Sequence, residues 1–452
     1  MPSRQPSVSV QQLSTTSLDL LEQQIATGAL ADDLRTVFGE AGAAELEQMA
    51  QTGAAMTLGD EERPLVVVLP GVLGSTLMNT SGDVGLIWAN PLALVAGKLA
   101  LLRLDARGTR DLPGTVVVPA GLLPTHYLLL QMHLKTFGGC DVYSFPYDWR
   151  RTPAAAVERL RTLVAGLTRN SSRKVHLVGH SMGGLVARNY CASYPNQAER
   201  AVAQIIQLGT PNYGSYSAVQ TLLTSDGMVG MLQKLNAQND PLAFTRSCPG
   251  IYAMFPAPRD AYPASAPEPY PFSSTSDVYD RAAIGIDALS SAHLSAARAA
   301  YEANAAQSAS VPTTIIAGFD LPTCVGMQIN RDGTSPVFSF GEMGDGDGTV
   351  PLASVTALPG ARLYYGRGLK HGDLPLYGGV RAAVVELVHG REPTTVTSNR
   401  FAQVLGDEPA LTLSVPEAPT PAELDHATVD AIAGRVRMGV ATPSDLRALA
   451  LL

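Results

Sequence analysis

The sequence predicts an α/β fold: a mostly parallel sheet with helices on both faces. Three observations predict it. Apolar, β-branched runs recur along the chain, as strands buried on both faces require. Amphipathic helical runs stand between them, and strand–helix alternation implies right-handed crossovers and a parallel sheet. One such run, ending at Val178, passes through Gly179-His180-Ser181-Met182-Gly183-Gly184 directly into a helical run, Leu185 to Tyr190.

The elements follow in order. From Ser17 to Thr52, Leu18, Leu20, Leu21, Ile25, Leu34, Val37, Phe38, Leu46 and Met49 are spaced near 3.6, which predicts a helical hairpin ahead of the first strand. Pro64 to Leu69 is the first strand and ends in Pro70-Gly71-Val72-Leu73-Gly74-Ser75. Cys140 to Phe145 is the next, followed by Pro146-Tyr147-Asp148-Trp149-Arg150 and an amphipathic helix, Ala154 to Thr168. Lys174 to Val178, Ala203 to Leu208, Thr313 to Ala317 and Ala361 to Tyr365 complete the strands, and Ala203 to Leu208 ends in Gly209-Thr210-Pro211. Ligands in such sheets sit beyond the carboxyl ends of the strands, so Leu73, Ser181 and Pro211 are expected on one edge.

Two insertions break the rhythm. The first, Thr76 to Thr125, holds Trp88 and the apolar run Pro91 to Leu104, which suits either a buried helix or a lid helix. The second, Tyr213 to Ser310, is too long for a loop and predicts a helical cap. The tail has two capped helix starts with proline at the first turn, at Thr420 and Thr442. The expected organisation is a helical extension over 1–63, the sheet domain over 64–390 with a lid at 76–125 and a cap at 213–310, and an accessory segment over 391–452.

Composition narrows the partners. The 452 residues are 46% hydrophobic, enough for a large core, and the net charge of −8 comes from 40 acidic and 32 basic residues spread along the chain. No basic stripe is present, which argues against nucleic acid as a partner. The four cysteines, Cys140, Cys191, Cys248 and Cys324, form no C-x-x-C pair and are expected as structural thiols. Met1-Pro-Ser-Arg-Gln-Pro6 leads into polar residues with no apolar core segment, so no secretory signal is expected and the cytoplasm is favoured. Leu112 to Leu134 lacks charged residues but contains Pro113, Pro119 and Pro124, which rules it out as a spanning helix.

Gly179-x-Ser181-x-Gly183 between a strand and a helix is the pattern of a nucleophile elbow, which lifts a serine hydroxyl clear of a sheet. No lysine follows the glycines, so a phosphate loop does not match. A serine hydroxyl needs a base and oxyanion donors. The chain order Ser, acid, His selects the base among eight histidines. His293 falls in the cap, His389 at a helix end and His426 in the tail; His371 lies in a loop just after a strand, where a base can reach the sheet edge. The acid is expected in Gly344-Asp345-Gly346-Asp347-Gly348, from Asp345 or Asp347. That loop fails as an EF-hand, with Val350 and Thr356 where Gly and Glu belong. The amides of Met182 and Leu73 are the expected oxyanion donors.

With these blocks in hand, the chain resembles the lecithin:cholesterol acyltransferase-like family of α/β-hydrolases. The matching segments are Leu69 to Leu77, Phe145-Pro-Tyr-Asp-Trp-Arg150, Gly179 to Gly184, Gly209-Thr-Pro-Asn-Tyr-Gly214, Gly346-Asp-Gly-Thr-Val-Pro351 and His371, in the family's order. The resemblance implies an α/β-hydrolase fold, Ser181 as nucleophile, Asp347 rather than Asp345 as acid, His371 as base, Leu73 and Met182 as oxyanion donors, and Trp88 as a substrate-contacting lid residue. It implies a serine acyl hydrolase of the lipase, esterase or phospholipase type acting on a lipid or apolar ester. The alternatives are an acyltransferase using an alcohol acceptor, and a small-ester or amide hydrolase. Contact with a membrane or micelle surface would run through the lid. No cofactor and no metal enter this reading, and no close cysteine pair brackets the lid, unlike in the family's secreted members.

Overall fold

The structure, a computed structural model, describes residues 6–55, 63–304 and 311–400, except 226, 237, 275, 332 and 334, together with 431, 434 and 435. The helix starts expected at Thr420 and Thr442, and His426, lie outside the described residues.

The strands, in chain order, are β1 (Leu65–Leu69), β2 (Ser75–Asn79), β3 (Gly85–Trp88), β4 (Val117–Leu122), β5 (Asp141–Ser144), β6 (Val175–His180), β7 (Val202–Leu208), β8 (Ser273–Ser274), β9 (Thr313–Phe319), β10 (Leu321–Asn330), β11 (Val337–Gly346) and β12 (Arg362–Arg367). Six of them form the central sheet in the order β12-β9-β7-β6-β1-β5, and every adjacent pair is parallel. Every residue of β1 and of β9 is buried, which explains their unbroken apolar runs. This is the mostly parallel α/β sheet that the strand–helix alternation predicted, consistent with the α/β-hydrolase architecture that the resemblance implied.

The chain enters at β1, goes out to β5 on one side, then returns to β6 on the other. The strand order reverses between β1 and β6, and a crevice opens there beyond the strand ends. Leu69 pairs with Gly179 across that boundary, so the loops that follow β1 and β6 start side by side.

The N-terminal region has one helix more than the expected hairpin. Pro6–Thr15 precedes Leu18–Ala26 and Ala31–Ala55, and the last of these breaks at Gly39, whose φ is +70°. Leu21, Ile25, Leu34, Leu46 and Met49 pack on Leu128, Leu129 and Met132 of helix Pro124–Thr136. Arg381 Nη2 reaches Glu45 Oε1 at 2.6 Å and ties this layer to helix Gly378–Val388.

In the first insertion β2 pairs antiparallel with β3 and β4. The apolar run Pro91 to Leu104 is no continuous helix. Gly97 adopts φ +77° and splits it into helix Pro91–Val95 and 3-10 helix Lys98–Leu102. Leu99 and Leu102 are fully buried, so the run is buried, as the first of the two alternatives expected, but in two short helices and not one. The second insertion carries helices Tyr216–Leu223, Gly227–Leu235, Pro241–Arg246, Pro249–Tyr252, Arg281–Ile284 and Ser291–Asn304. Buried Asn239 joins the two insertions: its Nδ2 donates to Leu94 O at 2.8 Å and Leu232 O at 3.0 Å, and its Oδ1 accepts from Leu99 N–H at 3.4 Å.

The antiparallel hairpin of β10 and β11 was not expected. Its signal is the alternation in Val337-Phe-Ser-Phe-Gly-Glu-Met343, where Phe338 and Phe340 pack on the core and Val337 and Met343 are exposed. All four cysteines are free thiols, as expected. Among the described residues, no helix is long and apolar enough to cross a membrane.

Burial pushes the imidazoles of His126, His133 and His176 down to about 4 from 6.5. As pH falls through 6.5 the unfolded chain takes up these protons first, so stability present above 6.5 is lost toward pH 4. Each histidine contributes a slope of at most about 1.4 kcal/mol per pH unit. Urea midpoints measured from pH 7 to pH 4 are expected to fall, and His176→Gln to flatten part of the slope. A midpoint independent of pH would contradict this assignment.

Candidate active site

Ser181 stands between β6 and helix Met182–Ser193, with φ +52° and ψ −125°. This conformation is strained for a residue with a Cβ, and such strain persists only where the surroundings enforce it. They do so here by backbone contact. Ser181 N–H donates to Leu208 O at 2.9 Å. A Cβ on Gly183 would strike Leu69 O and lie 2.6 Å from Pro70 O, and one on Gly179 would lie 2.6 Å from Gly184 N. The glycines of the motif therefore let the helix start press against the ends of β1 and β6. A Cβ on Gly71 would lie 2.9 Å from Ser181 Cβ, so the loop after β1 runs directly beside the serine.

His371 and Asp347 meet across the ends of β9 and β12. His371 Nδ1 and Asp347 Oδ2 are 2.7 Å apart, with the carboxylate fully buried and the imidazole 12% exposed. Asp347 Oδ1 accepts from Val350 N–H at 2.7 Å and Thr349 N–H at 3.0 Å, and Asp347 O accepts from His371 N–H at 2.9 Å. The carboxylate is thereby fixed as an acceptor toward the ring. Asp345 turns elsewhere: it accepts from Asp320 N–H at 2.6 Å and faces Arg400 at 3.5 Å.

Ser181 and His371 share this corner through Gly209, the residue after β7. A Cβ on Gly209 would lie 3.1 Å from both His371 Nδ1 and Asp347 Oδ2. The neighbouring residue His180 has its ring centroid 5.0 Å from that of His371. Ser181 Oγ and His371 Nε2 make no hydrogen bond in this state; such bonds are often long in unliganded sites and tighten with substrate. Among the described residues, neither Leu73 N–H nor Met182 N–H donates to a backbone carbonyl. Met182 opens its helix, where amides are unpaired and the dipole favours negative charge. Leu73 holds φ +64°.

Trp88 does not take the place that the resemblance implied. It is 1% exposed, packs edge-on against Trp149 at 5.7 Å, and donates its indole N–H to Leu73 O at 2.7 Å. It orients the Leu73 peptide from within the core.

Two functional features were missed in the sequence. The first is a relay through His180. His180 Nε2 lies 3.0 Å from His371 O, which can only accept, so Nε2 carries the proton. His180 Nδ1 then accepts from Tyr127 Oη at 2.9 Å, and Tyr127 Oη accepts from Gly71 N–H at 2.8 Å. Burial, with the neighbouring His371 adding to it, drives the His180 pKa well below 6.5 and keeps the ring neutral. The relay ties the loop beside Ser181 to the backbone of His371. No sequence spacing reveals it, because Tyr127 lies in an ordinary helical run.

The second is the role of Phe145 to Arg150. Tyr147 Oη donates to Pro70 O at 2.8 Å, and Trp149 Nε1 donates to Ser75 O at 3.0 Å. Arg150, fully buried, pairs with Asp148 and Asp111 and donates to Leu102 O at 2.9 Å. The block clamps the loop after β1 from one side and holds the first insertion with its guanidinium.

With the fold and this geometry in place, the chain can be set beside known proteins. A region of the chain, residues 132–281, matches the lecithin:cholesterol acyltransferase family of α/β-hydrolases. The region includes Ser181 and Met182 and excludes Leu73, Asp347 and His371, which the fold itself brings to the same edge. No curated protein matches the chain. The crystal structure of the Tle4-Tli4 complex is similar in fold, with 14% identity and a TM-score of 0.50, over 73% of this chain and 99% of that one. The mature Bacillus licheniformis lipase BlEst2 is 16% identical over 71% of this chain and 89% of that one, with a TM-score of 0.35. The Pyrobaculum calidifontis esterase is 13% identical over 82% and 96%, also with a TM-score of 0.35.

Tyr127→Phe leaves Gly71 N–H and His180 Nδ1 without a partner in a buried site. It is expected to cost about 1–3 kcal/mol of unfolding free energy, measured by urea denaturation. Stability equal to the parent would show the relay to be idle.

Proposed function

We propose that this chain is a serine acyl hydrolase that cleaves carboxylic esters of lipid-like substrates through an acyl-enzyme. The observation that carries the reading is the Asp347–His371 contact at 2.7 Å, made by a fully buried carboxylate at the sheet edge where Ser181 is held in a strained turn. Asp347 orients the imidazole with its Nδ1 proton inward and stabilises the imidazolium as it forms. In this reading Ser181 Oγ meets His371 Nε2 when substrate binds. His371 accepts the hydroxyl proton, Oγ bonds to the ester carbonyl carbon, and the carbonyl oxygen becomes an oxyanion facing the Leu73 and Met182 amides. Each amide is worth about 2.7–4 kcal/mol to the transition state. The alkoxide leaves with the proton from His371, and water, deprotonated by the same ring, releases the acid and frees Ser181.

The preference for an apolar acyl chain follows the resemblance, and it is supported by partly buried Val72 and Leu73, which follow Gly71 in the loop that runs beside Ser181. Contact with a lipid surface would run through the first insertion, where Val84 and Val116, just ahead of β3 and β4, are 65% and 49% exposed. Acyl transfer to an alcohol uses the same groups, and the family match to residues 132–281 supports it as the second reading.

Ser181→Ala is expected to lower kcat on p-nitrophenyl esters by about 10⁶-fold, by analogy with subtilisin, and Asp347→Asn by about 10⁴-fold. An active-serine phosphonate should label the parent at Ser181 and leave Ser181→Ala unlabelled. Near-parental turnover by Ser181→Ala overturns the assignment. A series of acyl-chain lengths distinguishes a lipid-like from a small-ester preference, and product analysis with added alcohol distinguishes hydrolysis from transfer.

A further inference from the structure

A cavity of about 140 Å³ lies away from Ser181, and none of Ser181, Asp347 and His371 lines it. One wall is the face of helix Met182–Ser193 formed by Leu185, Arg188 and Ala192; the other comes from Ala297 and Tyr301 of helix Ser291–Asn304, with Val311 closing the space. The lining is mainly apolar, with polar members that include Arg188, Asn189, Asn212, His293, Tyr301 and Thr313.

Arg188 is the unusual group. It is only partly buried, yet even the fully buried arginines have carboxylates, Arg150 with Asp148 and Asp111 and Arg381 with Glu45. Arg188 has none among the described residues. Its one protein partner there is Asn212 Oδ1, which accepts from Nη1 at 2.8 Å. Asn212 is fixed in that orientation because its Nδ2 donates to Gln207 Oε1 and Val355 O, both at 2.8 Å. Burial lowers the Arg188 pKa, and the opposing influences come from the phenols of Tyr213 and Tyr301, not from an acid. Tyr301 Oη is committed to Phe255 O at 2.9 Å. The guanidinium thus presents Nε and Nη2 with no acceptor among the described residues, beside a mainly apolar cavity. A guanidinium edge of this kind matches a carboxylate, two parallel N–H groups to two oxygens.

We propose that this cavity binds a carboxylate carrying a short apolar chain, with the carboxylate on Arg188 Nε and Nη2 and the chain between Leu185 and Ala297. One uncompensated positive charge calls for a monoanion, which favours a carboxylate over a phosphate dianion. A cavity of ~150 Å³ holds benzene, so a chain of about six carbons is the matching probe for this one of about 140 Å³. The Asn212 and Tyr213 of the Gly209 to Gly214 segment, which the ester chemistry does not use, are accounted for as the bracket that holds Arg188 and as part of the wall.

The test is isothermal titration of sodium hexanoate into the full chain carrying Ser181→Ala, so that the result does not depend on ester cleavage. One saturable site is expected. Affinity should fall at least tenfold in Ser181→Ala with Arg188→Gln, and likewise with Ala297→Leu, which fills the cavity and leaves the charge. 1-Hexanol, lacking the charge, should bind at least tenfold more weakly, and inorganic phosphate should not compete. Binding unchanged by Arg188→Gln, equal binding of 1-hexanol, displacement by phosphate, or no saturable binding overturns the proposal. Should Arg188→Gln fail to fold, crystals with 6-bromohexanoate decide it: bromine density between Leu185 and Ala297 supports the site, and density elsewhere or none overturns it.

Discussion

The close approach of backbones at the boundary between β1 and β6 is the constraint on which the rest depends. Two loops must leave adjacent parallel strands on the same edge, and a helix must begin between them. Side chains would keep these segments apart. Gly71, Gly179 and Gly183 remove them at the points of contact, where an added Cβ would meet Ser181, Gly184 and the carbonyls of Leu69 and Pro70. The strained φ of Ser181 follows from this crowding. The chain turns from β6 into the helix at this one residue while its N–H still completes the ladder to Leu208. About 1–3 kcal/mol is stored in such a residue, and the surrounding core supplies the opposing stability.

A second constraint is orientation. The groups gathered at this edge come from loops after β1, β6, β7, β11 and β12, and loops are the least rigid parts of a fold. Each is held by a bond to a backbone carbonyl or amide, not by packing alone. Tyr147 and Trp149 hold the carbonyls of Pro70 and Ser75, Trp88 holds Leu73 O, Tyr127 holds Gly71 N–H, and His180 holds His371 O. Aromatic residues suit this work because each places a large apolar body in the core and one polar atom at a defined point. Positioning here is done by buried side chains whose tips reach out to the loops.

That division explains what could be read in advance. The parallel sheet and the elbow were legible because both are local: a buried strand writes its period into five or six residues, and a tight turn writes its glycines. The pairing of Asp347 with His371 could be anticipated from chain order and loop position, and preferring it to Asp345 rested on resemblance; in the structure one carboxylate faces the ring and the other faces Asp320 N–H. Tyr127 and His180 were not legible as a pair, because two residues 53 apart leave no pattern for a contact made only in three dimensions. The run Pro91 to Leu104 was ambiguous because burial on all sides erases helical periodicity, and Gly97 then decided the outcome through its φ. Trp88 was read outward as a lid residue when its indole N–H is used inward.

The helix after β6 serves both regions, and the way its neighbours are fastened keeps them apart. Its first turn faces the Ser181 corner, and its Leu185, Arg188 and Ala192 face the cavity. The segment Gly209 to Gly214 also touches both, with Gly209 against His371 and Asn212 against Arg188. Coupling through it would require two alternative arrangements of that segment. Its bonds oppose this: Asn212 Nδ2 has two acceptors, Tyr213 N–H donates to Ser354 Oγ at 3.1 Å, and Ser354 Oγ donates to Gly214 O at 2.7 Å. Moving Asn212 toward a ligand would break buried hydrogen bonds with no replacement in reach, each costing about 1–3 kcal/mol. A carboxylate on Arg188 therefore has to be received by a bracket that stays still, and the imidazole across the segment keeps its place whether or not the cavity is filled.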